Sequence, residues 1–251
     1  VLEAGGSDRR LAIRVPIGYG HAFHDPAVNW RFRAEPDPGL AGRSAYVPRG
    51  KALGGSSAIN AMVWHRGLPG DYDDWRDAGN PGWGWKEAEA AFATVERRIG
   101  PGGAVTGAGP QWVEDREADY HPLRRRFLAA AAEAGLPATA DMNGAAPEGV
   151  GAYALTTRGG WRCSAADAFL RPAMARGGVE VVTGALAARI LFDGRRAVGV
   201  EARVAGASVA FRARREVVAA AGAVGSPMLL QRSGIGPGAL LQRLGIAVLL
   251  A

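Results

Sequence analysis

The sequence predicts an α/β fold in which a doubly wound sheet carries an antiparallel β-meander. The first observation is an apolar segment, residues 1–6, that ends in an acid and a glycine pair, as a short buried strand does. The second is a middle region in which apolar residues recur at helical spacing. The third is a change to a period of two after residue 178, with turns but no helices between the strands, which is typical of a meander.

Residues 10–46 are rich in proline, glycine and aromatic residues, which predicts an irregular excursion with one alternating strand over 30–34. Beyond it, apolar spacing and capping residues predict helices over 84–98, 121–134 and 164–170, and small residues predict a surface loop over 101–109. Gly135 is expected to end the second of these helices, and Pro172 the third.

The last third of the chain alternates apolar and polar residues between tight turns. It predicts strands over residues 179–183, 185–192, 197–204 and 209–213, followed by a final buried strand over residues 216–220. Ser226 and Pro227 then have the residue types of a helix cap and a first helical position. Residues 240–251 predict a helix that turns into an apolar strand.

Composition narrows the class of protein. The 251 residues are 48% hydrophobic, which is enough for a core, and the net charge of +6 comes from arginines scattered among acids. Such clusters are typical of solvated faces, so no nucleic-acid partner is expected. No apolar run approaches the length of a transmembrane helix and no signal peptide is recognisable, so we expect a cytoplasmic protein. The single cysteine, Cys163, excludes an internal disulfide, and no histidine has metal-ligand spacing.

Two glycine-rich segments carry the functional signal. The first, Arg49 to Val63, combines small residues, hydroxyls and an amide; such a backbone can lie against a flat cofactor ring and direct N–H groups at anionic oxygens. The second runs from Gly222 to Gly236. In this order they resemble the two signatures of the glucose–methanol–choline (GMC) oxidoreductases, flavoenzymes that oxidise alcohols. The resemblance spans essentially all of the chain.

The resemblance implies FAD as the cofactor, bound by a Rossmann-like domain that is joined to part of a substrate domain. An acid at the end of a strand in such a fold holds the ribose hydroxyls, which is the expected role of Glu3. Some members carry a histidine bonded covalently to the flavin where this chain has Ile59, so we expect non-covalent FAD. The residues expected to contact FAD are Glu3, Ala4, Ala52, Gly54, Gly55, Ser56, Asn60, Ala61, Met62, Val63, Ala187, Ala221 and Gly222. For Asn60 a turn-stabilising amide is the alternative.

The resemblance also implies a domain organisation that is discontinuous in sequence. Residues 1–65, which include the flavin-covering loop, and residues 177–251 belong to the FAD-binding domain; residues 66–176 form a mostly helical region with part of the substrate domain. No Gly-x-Gly-x-x-Gly turn precedes Glu3, and the family's catalytic histidine pair has no counterpart before Ala251. We therefore expect part of an enzyme, with no catalytic residue in this chain.

The predicted activity is oxidation of the CH–OH group of a small alcohol by hydride transfer to flavin, with oxygen or another compound as the electron acceptor. Two alternatives stay open: a non-catalytic fragment or binding module, and a nicotinamide enzyme. His65 follows the flavin loop and could serve as a base, but a structural role is the expectation.

Overall fold

The computed structural model describes residues 1–116, 120–144 and 147–251. Its helices are α1 (Leu11–Arg14), α2 (Tyr19–Ala22), α3 (Pro69–Asp77), α4 (Trp85–Val95), α5 (Leu123–Glu133), α6 (Arg171–Ala175), α7 (Gly222–Arg232) and α8 (Gly238–Arg243), and a π-helix, Ala166–Leu170, leads into α6. Its strands are β1 (Leu2–Glu3), β2 (Phe32–Asp37), β3 (Arg43–Val47), β4 (Val63–Trp64), β5 (Glu96–Ile99), β6 (Val105–Thr106), β7 (Gln111–Glu114), β8 (Ala154–Leu155), β9 (Thr157–Arg158), β10 (Trp161–Arg162), β11 (Val182–Thr183), β12 (Ala185–Asp193), β13 (Arg196–Val204) and β14 (Ala207–Arg212).

The chain divides into two compact units. The first unit contains residues 1–7, 51–53 and 180–251, and the second unit contains residues 8–50 and 54–179. None of the helices in the described part of the chain has the length and apolarity that a bilayer crossing requires.

In the first unit, β1 pairs in parallel with β11, and β12, β13 and β14 form the predicted antiparallel meander. Its turns use left-handed residues, Gly194 and the pair Ala205–Gly206, which suits the twist of two-residue hairpins. Helix α7 packs on β12, where the Ile190 N–H donates to Ser233 Oγ at 2.8 Å. The core of this unit includes the buried residues Ala52, Ala185, Ile190, Ala202, Leu229 and Leu241.

Three expectations for the first unit are wrong. Helix α7 begins at Gly222 rather than at Ser226, so Pro227 lies inside the helix and removes the hydrogen bond to the carbonyl four residues earlier. Residues 216–220 form no strand, because no described strand pairs with them, and Val218 is 76% exposed rather than buried. At the end of the chain, the expected strand is reduced to one bridge between Leu250 and Ile235.

The second unit is built on a five-stranded sheet with the order β4-β8-β7-β5-β6, and β2 and β3 form a separate hairpin. Val113 of β7 is fully buried at its centre. Helix α5 and the glycine that follows it agree with the prediction.

Three expectations for this unit are also corrected. Helix α4 ends at Val95 instead of continuing to Arg98, because the next residues pair in parallel with β7. Residues 10–46 hold two short helices and a hairpin rather than one strand. The helix near Ser164 continues through α6 to Ala175, since Pro172 lies in the first turn of α6, where proline is tolerated.

Candidate functional site

Glu3 lies at the end of β1, and its half-buried carboxylate accepts a hydrogen bond from the Gly5 N–H at 2.7 Å. Burial raises the pKa of the Glu3 carboxyl, and the bond from Gly5 lowers it in part. The bond uses Oε1, so Oε2 can accept hydrogen bonds from a ligand that approaches the strand end.

The backbone of residues 51–53 lies directly beside this strand end. A Cβ at Gly5 would lie 1.9 Å from the Lys51 carbonyl oxygen, so only glycine permits the approach. Gly6 bridges Ala52 in parallel, and the Leu53 N–H donates to the Gly6 carbonyl at 3.0 Å. Ala52 is completely buried, whereas Ala4 is half-buried, so Ala52 offers a ligand little beyond its main chain.

The remaining expected residues of the first unit lie on β12 and at the start of α7. Ala187 is half-buried and pairs with Ala202, next to a bulge in the β12–β13 ladder. Ala221 and Gly222 are exposed, and Gly222 has φ +83° with open space where a side chain would be. A ligand can therefore reach the backbone at the beginning of α7.

In the second unit, the loop of residues 54–63 starts with two left-handed glycines, Gly54 and Gly55, and a short 3-10 helix, Gly55–Ala58. The Ser57 hydroxyl donates to the Gly54 carbonyl at 2.6 Å and accepts from the Ala165 N–H at 2.8 Å. Ser56 is exposed, and its Oγ accepts from the Gly50 N–H at 3.0 Å, which leaves its O–H to donate to an anion.

A buried arginine, Arg162, binds the loop through its guanidinium, and it was not among the residues predicted from the sequence. Its guanidinium donates to the Asn60 carbonyl and to Asn60 Oδ1, both at 2.8 Å, to the Ser57 carbonyl at 3.0 Å and to the Ile13 carbonyl at 2.8 Å. Burial lowers the pKa of Arg162 to about 10, against the opposing effect of Asp167. Only 2% of the residue is exposed. The planar fork thus fixes two loop residues at once.

A cluster of ionic side chains lies next to Arg162. Asp167 accepts from Arg14 at 3.0 Å, from Arg171 at 2.5 Å and from the Ser164 N–H at 3.0 Å. Arg171 also pairs with Asp8, whose side chain is 1% exposed and whose Oδ2 has no hydrogen-bond partner among the described residues. Because Ser164 and Asp167 have capping-box spacing, a local signal for part of this cluster was present in the sequence.

Buried and exposed residues lie side by side at the end of the loop. Ile59 is 1% exposed and Met62 is 3% exposed, and Met62 has φ +62°. Asn60 Oδ1 accepts from the Met62 N–H at 3.1 Å as well as from Arg162, so Asn60 does stabilise a turn. The Met62 carbonyl accepts from the Thr156 N–H at 2.8 Å. Both main-chain groups of Met62 are therefore used, whereas Ala61 and Val63 are exposed.

His65 is also exposed, and its Nδ1 accepts from the Gly67 N–H at 3.1 Å, with the ring edge-to-face against Tyr153. This arrangement is that of a surface histidine ordered by its neighbours. Among the residues that the structure describes, no group of histidine, cysteine or acidic side chains could hold a metal ion, and Cys163 is buried and unpaired.

Comparison with known proteins places these observations in a family. The family model for GMC oxidoreductases matches residues 8–245. The chain is 41% identical to the oxygen-dependent choline dehydrogenase of Photobacterium profundum over 250 residues, which are 99% of this chain and 44% of that protein. It is 43% identical to an uncharacterised GMC-type oxidoreductase of Mycobacterium tuberculosis, covering 94% of this chain and 45% of the relative. The chain thus spans about half the length of the curated relatives it matches.

The fold of this chain also matches the folds of solved structures. Pyridoxine 4-oxidase from Mesorbium loti superposes with a TM-score of 0.90 at 33% identity, over 99% of this chain and 49% of that one. An FAD-dependent oxidoreductase from Chaetomium thermophilum superposes with a TM-score of 0.88 at 31% identity, over 99% of this chain and 45% of that one. These matches confirm the predicted fold class, and FAD is the cofactor expected for it. With the family model matching nearly its whole length, the chain belongs to the GMC oxidoreductase family.

Proposed function

We propose that this chain is the cofactor-binding part of an FAD-dependent enzyme that oxidises the CH–OH group of a small alcohol. Family membership supports the oxidoreductase class, and the choline dehydrogenases among the relatives favour an alcohol as the substrate. The observation that carries the proposal is the ordered loop of residues 54–63, which Arg162 fixes and whose Ala61 and Val63 are exposed.

Within each unit taken separately, the residues present fit a part of FAD. A ribose needs an acceptor at a strand end, and Glu3 offers Oε2 there. A dinucleotide needs backbone without side-chain bulk, and open space surrounds the Cβ positions of Gly6, Gly55 and Gly222. A flavin ring needs an apolar surface, which Ala61 and Val63 can provide.

Each group has a separate task in this proposal. Glu3 accepts hydrogen bonds from the ribose hydroxyls, and the Ser56 hydroxyl donates to a pyrophosphate oxygen. Arg162 keeps the loop in one conformation, so binding does not have to order it. When bound, FAD supplies the ring that accepts hydride from the alcohol carbon.

We further propose that FAD is held without a covalent bond and that the base for the alcohol proton is not among these residues. Ile59 stands where the family resemblance implies a flavin-linking histidine in some members, and its side chain is buried and has no nucleophilic atom. The Nδ1 of His65 is engaged with Gly67, although Nε2 keeps this residue a candidate for testing.

The proposal is tested on the intact protein by its visible absorbance spectrum and by reduction of the flavin with an alcohol panel that includes choline. We expect a flavin spectrum that bleaches when an alcohol is added without oxygen, in the unmodified protein and in a His65→Ala variant alike. A protein that binds no flavin would overturn the proposal in favour of a different class. If the protein binds flavin but none of the alcohols reduces it, the result would support the non-catalytic binding module. If the His65→Ala variant alone loses flavin reduction, His65 would be the base.

A further inference from the structure

A groove of about 790 Å³ in the second unit is lined by arginine and aromatic side chains. Its charged and aromatic lining residues include Arg97, Trp112, Arg158, Trp161, Phe169 and Arg176. Its volume lies in the range of pockets that take small organic molecules. Three of its lining residues, Asp167, Ala168 and Phe169, belong to the π-helix. Such helices are rare overall, but where they occur they are often at functional sites.

The groove has an excess of positive charge. Asp167 is its one acidic lining residue, and that carboxylate is already bound by Arg14 and Arg171. Arg97, Arg158 and Arg176 make no ion pair with any residue in the described ranges. Cations gathered on a concave surface repel one another, and an anion that enters relieves the repulsion.

The aromatic residues give the groove a second property. The guanidinium carbons of Arg97 and Arg158 lie 4.9 and 4.5 Å from the centre of the Trp112 ring, within range of cation–π contacts. These contacts restrain two donor groups that have no acidic partner. Trp161 is 49% exposed and Phe169 is 43% exposed, so their rings offer apolar surface to a ligand.

We propose that this groove binds a small organic anion that combines a phosphate or carboxylate group with a flat aromatic ring. Arginine recognises such oxyanions by paired N–H···O bonds, so the anionic group is bound by the lining arginines, with Arg158 and Arg176 as its donors. The ring of the ligand stacks against Trp161 or Phe169. The proposal assigns no redox step to the groove and does not depend on the alcohol as substrate.

The test is titration of phenyl phosphate into the intact, FAD-saturated protein, followed by calorimetry at low salt. We expect saturable binding that is weakened about tenfold by Arg158→Gln or Arg176→Gln, since each removes a charge-assisted hydrogen bond. Arg212→Gln, an exposed arginine of the first unit, is the matched control and should change the Kd by less than about twofold. Inorganic phosphate should bind about tenfold more weakly, because it lacks the ring.

Arg176 caps the end of α6 and is exposed, so its variant keeps the fold even if Arg158→Gln disturbs Trp112. Absence of binding at low salt, or equal binding by Arg176→Gln and the unmodified protein, would overturn the proposal. Equal affinity for phenyl phosphate and inorganic phosphate would overturn the assignment of an aromatic ligand.

Discussion

Replacing Arg162 by methionine should destabilise the loop of residues 54–63 more than any single change within the loop. Methionine keeps much of the side-chain volume but removes the four hydrogen bonds to Ile13, Ser57 and Asn60. Each bond contributes about 1 kcal/mol net, and each buried acceptor left unpaired costs about 1–3 kcal/mol.

One effect opposes this loss. Burial lowers the pKa of Arg162 to about 10, so the folded protein carries a penalty of about 3 kcal/mol for the charged form, and methionine avoids that penalty. The stranded acceptors are the larger measure of the same loss: at about 1.5 kcal/mol for each of the four, the loss is about 6 kcal/mol. Subtracting the penalty of about 3 kcal/mol, we expect a net loss of about 2–4 kcal/mol in the free energy of unfolding. The free energy of unfolding of Arg162→Lys should lie between those of the unmodified protein and of Arg162→Met. One ammonium group cannot reach all the acceptors that the planar guanidinium binds.

The measurement is thermal unfolding of the intact protein with and without added FAD, together with the Kd for FAD from flavin fluorescence. The Tm should fall by about 4–10 °C, and FAD should bind about tenfold more weakly, because binding must now order the loop. Arg212→Met, on an exposed arginine, is the control. A Tm within about 1 °C of the control, with an unchanged Kd, would show that the loop holds its conformation without Arg162.

Three further predictions follow from single side chains. Replacing Glu3 by alanine should weaken FAD binding by about 1–3 kcal/mol, because the ribose hydroxyls lose an acceptor; titration against an exposed Glu35→Ala control checks this, and an unchanged Kd removes Glu3 from the site. Acid or heat should release flavin from the polypeptide, since Ile59 cannot form a bond to it; flavin that precipitates with the protein would contradict the expectation. Burial raises the pKa of Glu114, but bonds from Thr157 and two glycine N–H groups outweigh burial and lower it overall. Its stabilising effect is therefore full above the unfolded pKa and lost as the pH falls through the lower folded pKa. Urea unfolding between about pH 6 and 3 should show this loss, and Glu114→Gln should reduce it; equal pH dependence in both proteins would refute it.

Features that depend on a few neighbouring residues could be predicted from the sequence. The meander was predictable because alternation and the turn glycine Gly194 act within each hairpin. Glu3 was predictable as a strand end from its local residue pattern alone, although its strand pairs with the distant Val182–Thr183. The end of α4 was not predictable, because strand β5 forms through pairing with residues fifteen positions further along the chain, Glu96 with Gln111. Long-range pairing there overrides local helix propensity.

Arg162 illustrates the same limit within the site, since it lies 102 residues from Asn60 in the sequence. An isolated arginine between a tryptophan and a cysteine has no local pattern that distinguishes it from the other arginines of a basic chain. Only the fold places its guanidinium beneath the loop, where burial and four acceptors give it a specific role.

The glycine-rich loop shows how structure also changes the meaning of a motif that was recognised correctly. Gly50 is required because a side chain would lie 2.1 Å from the Gly55 carbonyl oxygen. At Gly54 a Cβ would meet Ser164 Oγ at 3.1 Å, and φ is +90°. Both glycines are therefore explained by packing within the protein. Gly55 differs, because it has φ +55° with open space around its Cβ position. Among these three glycines, only Gly55 therefore has backbone that a cofactor could reach, next to the exposed Ser56.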